Sequence, residues 1–133
     1  MNGPTLLAQP QAADSIGPSE IDEIQASLLR SIASAQRLRM IHVLAEGPRE
    51  PRELAAALAL GQAATSQHLA ALRACGAVEA TRDGRSVTYR LADPDILRAC
   101  LLMRAVLVRR LTRLARVAAA ADAQPRSTEA GWT

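Results

Sequence analysis

Between Arg52 and Leu91 the chain alternates apolar periodicity with turn signals so regularly that few folds can accommodate it. The run RELAAAL has the spacing of a short helix, and Pro51 suits a first helical position because its missing N–H would be unpaired there anyway. After a tight link, ALGQAATSQHLAALRACG gives a second helix that begins beyond Gly61 and ends at Gly76, the residue best suited to a left-handed C-terminal cap. Val78 to Arg82 and Ser86 to Leu91 then alternate as strands, with Asp83-Gly84 expected to supply the positive backbone angles of a tight hairpin.

Helices are also expected on both sides of this stretch. Ser19 is the expected cap of a first helix, with Glu20, Asp22 and Glu23 in its opening turn and Ile21, Ile24, Leu28, Leu29 and Ile32 at helical spacing. Ser34 starts another, carried by Arg37, Leu38, Ile41 and Leu44 and stopped by Gly47-Pro48. Asp93-Pro94 opens a long last helix to about Ala121. The 133 residues suffice for one small domain. Its core must come from aliphatic side chains, because Tyr89 and Trp132 are the only aromatic residues. The expected fold is therefore mainly α with a small β-hairpin, a winged helix-turn-helix over residues 19–121. Residues 1–18 and 122–133 are expected to be disordered tails.

On the second helix of the pair, Thr65, Leu69 and Leu72 recur at i, i+4 and i+7 and define the stripe that should be buried. The opposite face then carries Gln62, Ala63, Ser66, Gln67 and Ala70. No residue from Leu54 to Leu72 is charged, whereas an ordinary solvated helix usually carries several charges. Gln can bond bidentately to the N6 and N7 edge of adenine, Ser can meet a base edge or a phosphate, and Ala keeps the face low enough to enter a groove. Gln62, Ala63, Ser66 and Gln67 are thus candidate DNA contacts, and His68, beside Gln67, is a candidate phosphate contact. Arg82 and Arg85, around the hairpin turn, are candidates for the phosphate backbone or the minor groove, with Arg90 further along the same strand.

Net charge is only +3, but its distribution is uneven. Up to Leu29 the charged residues are Asp14, Glu20, Asp22 and Glu23, whereas Ile96 to Ala121 carries only arginines: 98, 104, 109, 110, 113 and 116. Oppositely charged first and last helices are natural packing partners. The N-terminus lacks the pattern of a secretory leader, and no stretch approaches the roughly 18 apolar residues of a membrane span, so a cytoplasmic protein without a membrane partner is expected. Enzymatic chemistry is not expected, since no nucleophile stands with a base and there is neither a phosphate loop nor a metal-ligand spacing.

The residues that suggest a DNA reader also resemble the ArsR/SmtB family of bacterial repressors from Leu28 to about Leu111. The resemblance rests on the RLRMIHVL helix, the L-x-Q-x-x-x-S-Q-H-L run of Leu60 to Leu69, the L-R-x-x-G-x-V link of Leu72 to Val78, and the D-G-R-x-V-x-Y-R-L run of Asp83 to Leu91. It implies a homodimer paired through the first and last helices, bound to an inverted-repeat double-stranded DNA operator and released by an inducer. Ala35 stands where the family often has Pro, and Gly61 and Ala63 where it often has Ser. A winged helix serving only as a protein-interaction or dimerisation module is the alternative.

The family's sensing sites are not intact here. The arsenic-type Cys-x-Cys is absent from the stretch EPRELAAAL. Asp93, Asp95, Val106 and Arg109 stand at the zinc-type positions, where an arginine would oppose a cation. Ala71 and Cys75 match the paired cysteines of the cadmium/lead branch, and the persulfide and redox pattern is met only by His42 and an early Cys100. No cofactor is therefore expected and the inducer is unidentified. Cys75 and Cys100 remain candidate sensing thiols, with packing roles as the plainer expectation for both. His42 and His68 have no ligand partner at helical spacing.

Overall fold

The computed structural model describes residues 15–123. The expected tails fall almost wholly outside that range. The order is α1 (Pro18–Ile32), α2 (Ala35–Glu46), α3 (Pro51–Leu58), α4 (Gln62–Ala74), β1 (Val78–Asp83), β2 (Ser86–Leu91) and α5 (Asp95–Ala123). The chain divides into two compact units, one reaching Ile96 and the second starting at Leu97 within the last helix.

In the first unit, Ile32, Met40, Ile41, Leu44, Leu54, Leu69, Leu72, Ala77 and Val78 are buried. Helix α2 packs on α3, α4 and β2, so the core lies between the helix pair and the hairpin. Leu38, expected inside, sits at the rim of this core, and Met40 is fully enclosed instead. An unbranched thioether adapts to the irregular space between helices.

Local chemistry accounts for most of the boundaries. Ser34 caps α2, its hydroxyl accepting from the Arg37 N–H at 3.4 Å. Helix α3 has Pro51 at its start and a reciprocal capping box between Glu50 and Glu53. Its end is less ordinary: Ala59 adopts φ 53°, a left-handed conformation that costs a residue with a Cβ about 1 kcal/mol. Beyond α4, Gly76 has φ 80°, as its capping role requires.

Two expectations shift. Helix α1 is capped by the extended Gly17 rather than Ser19, with Pro18 inside its start and only Glu20 as an acidic first-turn residue. The fixed φ of proline is preorganised for that position, so the helix begins before the serine. In the hairpin, Asp83 pairs with Ser86, which makes Gly84-Arg85 the central turn residues instead of Asp83-Gly84. Gly84 has φ 62° while Arg85 has no positive φ. That arrangement belongs to a type II′ turn, which needs glycine at its first central position.

The second unit is the body of α5. It carries Leu101, Leu102, Met103, Val106, Leu107, Val108, Leu111, Leu114 and Val117, all exposed. Helix α1 similarly leaves Ile21, Ile24 and Leu29 exposed and buries only Ile32. No helix among the described residues is long and apolar enough to cross a membrane.

Candidate nucleic-acid interface

Helix α4 divides by face as its periodicity requires. Thr65, Leu69 and Leu72 are buried, each no more than 2% exposed, whereas Gln62, Ala63, Ser66, Gln67 and Ala70 are exposed. Thr65 is the only buried polar residue among the described ones, and its hydroxyl donates to the Gly61 carbonyl at 2.9 Å. That bond ties a side chain into the first turn of a helix whose glycine cap has no side chain of its own. With one face fixed by burial, the opposite face is held at a defined angle.

His68 is placed differently from its four companions. It is half-buried, and its Nδ1 accepts a hydrogen bond from Arg37 Nε at 3.1 Å. The ring proton is thereby assigned to Nε2. The same guanidinium donates through Nη1 to the Ser31 carbonyl at 2.7 Å. Arg37 thus joins the end of α1 to the middle of α4. Sequence spacing showed Arg37 only as a member of α2, because the contact spans 31 positions and depends on how the helices cross.

Arg82 and Arg85 are exposed on the hairpin, and neither side chain has a hydrogen-bond or ion-pair partner among the described residues. Arg90 is committed within the sheet: it pairs with Glu79 at 3.0 Å and donates to Thr81 Oγ1 at 2.9 Å. The hairpin is anchored to the helical part by Arg49, whose backbone bonds both ways with Tyr89 at 2.9 and 2.8 Å. An exposed polar helix face and two unpaired cations on an anchored hairpin are features from which a duplex-binding surface can be built.

The cysteines lie elsewhere. Cys75 caps the end of α4, half-buried, with its thiol donating to the Leu72 carbonyl at 3.3 Å. Cys100 is half-buried on α5, where burial pushes its thiol up against the weaker opposing pull of the Arg104 cation. Among the described residues no three His, Cys, Asp or Glu side chains gather as metal ligands.

Residues 34–80 match the model of the bacterial regulatory protein, arsR family. The chain is also 35% identical over 91 residues to the uncharacterized HTH-type transcriptional regulator Rv0081 of Mycobacterium tuberculosis, a match covering 68% of this chain and 80% of that one. The chain belongs to the ArsR family. The crystal structure of Rv0081 superimposes on it with a TM-score of 0.66 at 32% identity, covering 74% of this chain and 98% of that one. The homodimeric winged helix-turn-helix DNA-binding domain Mb0332 of Mycobacterium bovis gives 0.65 at 29% identity, with 71% and 88% covered. Among curated relatives, the HTH-type transcriptional repressor SmtB of M. tuberculosis is 41% identical over 90 residues, 68% of this chain. The chain spans only 62% of the length of SmtB. Members of this family are DNA-binding transcriptional regulators, and the winged helix-turn-helix expected from the sequence is the fold observed.

Proposed function

We propose that the protein is a sequence-specific transcriptional repressor that binds an inverted-repeat operator as a homodimer and is released by an inducer. The observation that carries this reading is the exposed, uncharged Gln62, Ser66 and Gln67 face on a helix whose other side is locked into the core. Gln62 and Gln67 read base edges, Ala63 lets the helix approach, and Ser66 serves a base or phosphate. Arg82 and Arg85 meet the backbone. His68, bonded to Arg37, orients α4 through its Nδ1 and has only its Nε2 edge left for a phosphate.

Dimerisation through α1 and α5 is supported by the apolar side chains those helices leave exposed. Covering a single Leu or Val is worth roughly 1.5–3 kcal/mol, so these surfaces favour a partner. The acidic start of α1 and the arginines of α5 add complementary charge. Two copies related by a two-fold axis would present two α4 helices to half-sites about 10 base pairs apart.

For the inducer, the raised thiol of Cys100 and the inward hydrogen bond of Cys75 favour packing roles over reactive ones. Selection from a pool of random-sequence duplexes tests the reading. An inverted-repeat consensus is expected; recovery of no consensus would instead favour an interaction module that does not read DNA.

A further inference from the structure

An open trough of about 500 Å³ runs beside the exposed face of α4, lined by Pro51, Ser66, Ala70, Arg73, Ala74 and Tyr89 among others. Its shape follows from the sequence. Ser66, Ala70 and Ala74 fall at i, i+4 and i+8 and so lie in one row whose short side chains leave a channel. Tyr89 contributes from β2, held in place by its backbone pairing with Arg49. Pro51 contributes from the start of α3.

The polar groups of the trough are all capable of donating. Arg73 is exposed, and its guanidinium has no hydrogen-bond or ion-pair partner among the described residues. The lining also includes Ser66 and Tyr89, whose hydroxyls can donate, but no acidic residue. A site for a small free ligand normally encloses most of that ligand's surface. This trough is open to solvent and shares Ser66 with the proposed base-reading face. Arg73, two helical turns beyond Ser66, lies roughly 10 Å further along the axis.

We infer that the trough seats a backbone phosphate of bound duplex DNA, with Arg73 as its charged donor, Tyr89 as a neutral donor and Ser66 at the junction with the bases. The inference rests on the DNA-binding reading above and adds Arg73 and Tyr89 to it. An anchored phosphate at this point would fix how far α4 sits along the groove, because phosphate contacts set register while base contacts set sequence.

The test uses the full chain with two duplexes of about 30 base pairs, one carrying the selected consensus and one of random sequence, long enough for two half-sites. Arg73→Gln is expected to weaken both by a similar factor, roughly tenfold, and to lower the slope of log affinity against log salt by about one. Tyr89→Phe is expected to weaken both less and leave the slope unchanged. Neutral methylphosphonate linkages, introduced one at a time, should reveal a position in each half-site that weakens the parent and leaves Arg73→Gln unaffected. If Arg73→Gln fails to fold, Tyr89→Phe and the linkage scan on the parent decide alone.

A parent that binds the consensus while Arg73→Gln keeps its slope and its linkage sensitivity overturns the trough and leaves the repressor reading standing. A loss confined to particular bases also overturns it. Selective displacement of the parent from DNA by inorganic phosphate, relative to chloride at equal ionic strength, would make the trough a free-anion site and contradict the assignment. A parent that binds neither duplex removes both proposals.

Discussion

Arg37 Nε lies 3.1 Å from Nδ1 of His68, and the other arm of that guanidinium holds the Ser31 carbonyl at 2.7 Å. One side chain of α2 therefore links the end of α1, a helix with exposed apolar side chains, to the helix proposed to bind DNA. A hydrogen bond from a charged donor is worth about 1.5–3 kcal/mol when well sheltered, and partial burial here places it near the lower end. Arg37→Met and His68→Ala should each lower unfolding stability. Their double-mutant cycle in urea should give a coupling of about 1.5 kcal/mol. If His68→Ala weakens DNA binding with unchanged stability and no coupling to Arg37, the histidine contacts phosphate and does not position α4.

Ala59 is the one described residue other than glycine with a positive φ. Glycine adopts that conformation without a Cβ penalty. Ala59→Gly should therefore stabilise the fold by up to about 1 kcal/mol, partly offset by the greater freedom of glycine in the unfolded chain. Chemical denaturation checks this, and a destabilised variant would show that Ala59 does not occupy the left-handed region.

The folded state holds the Cys100 thiol protonated to higher pH than an unfolded chain does. Its contribution to stability is thus complete below the ordinary thiol pKa and declines as pH rises through the raised folded value. In a Cys75→Ser background, alkylation of Cys100 by iodoacetamide at pH 8 should be slower than in the denatured protein. Faster alkylation in the folded state would mark an activated thiol and return Cys100 to the list of sensors.

Leu107, Leu111 and Leu114 are each more than half exposed on α5. If this surface pairs two copies, Leu111→Glu should shift sedimentation from dimer to monomer and weaken operator binding, because a monomer engages one half-site only. A dimer that persists unchanged would place the interface elsewhere.

Local chemistry made the elements legible before their packing. Ser34, Pro51, Gly76 and the Thr65, Leu69 and Leu72 stripe each state a backbone or burial preference within a turn or two. What stayed hidden needed three dimensions or depended on small energetic differences. The Arg37 to His68 bond spans two helices, and Arg90 is removed from the free cations by Glu79 on the neighbouring strand. The hairpin turn moved by one residue because Asp-Gly and Gly-Arg are both acceptable turn pairs, and cross-strand pairing decides between them. The apolar residues of α1 have helical periodicity, which cannot distinguish a stripe covered within one chain from a stripe left for another.

Base reading by Gln62 and Gln67 is tested by the effect of Gln67→Ala on a set of operator variants, each altered at one base pair. The variant should lose roughly 1–3 kcal/mol on the parent operator and lose its discrimination at one position in each half-site, with the salt slope unchanged. Binding that matches the parent on every variant operator would contradict the assignment of this α4 face to the groove.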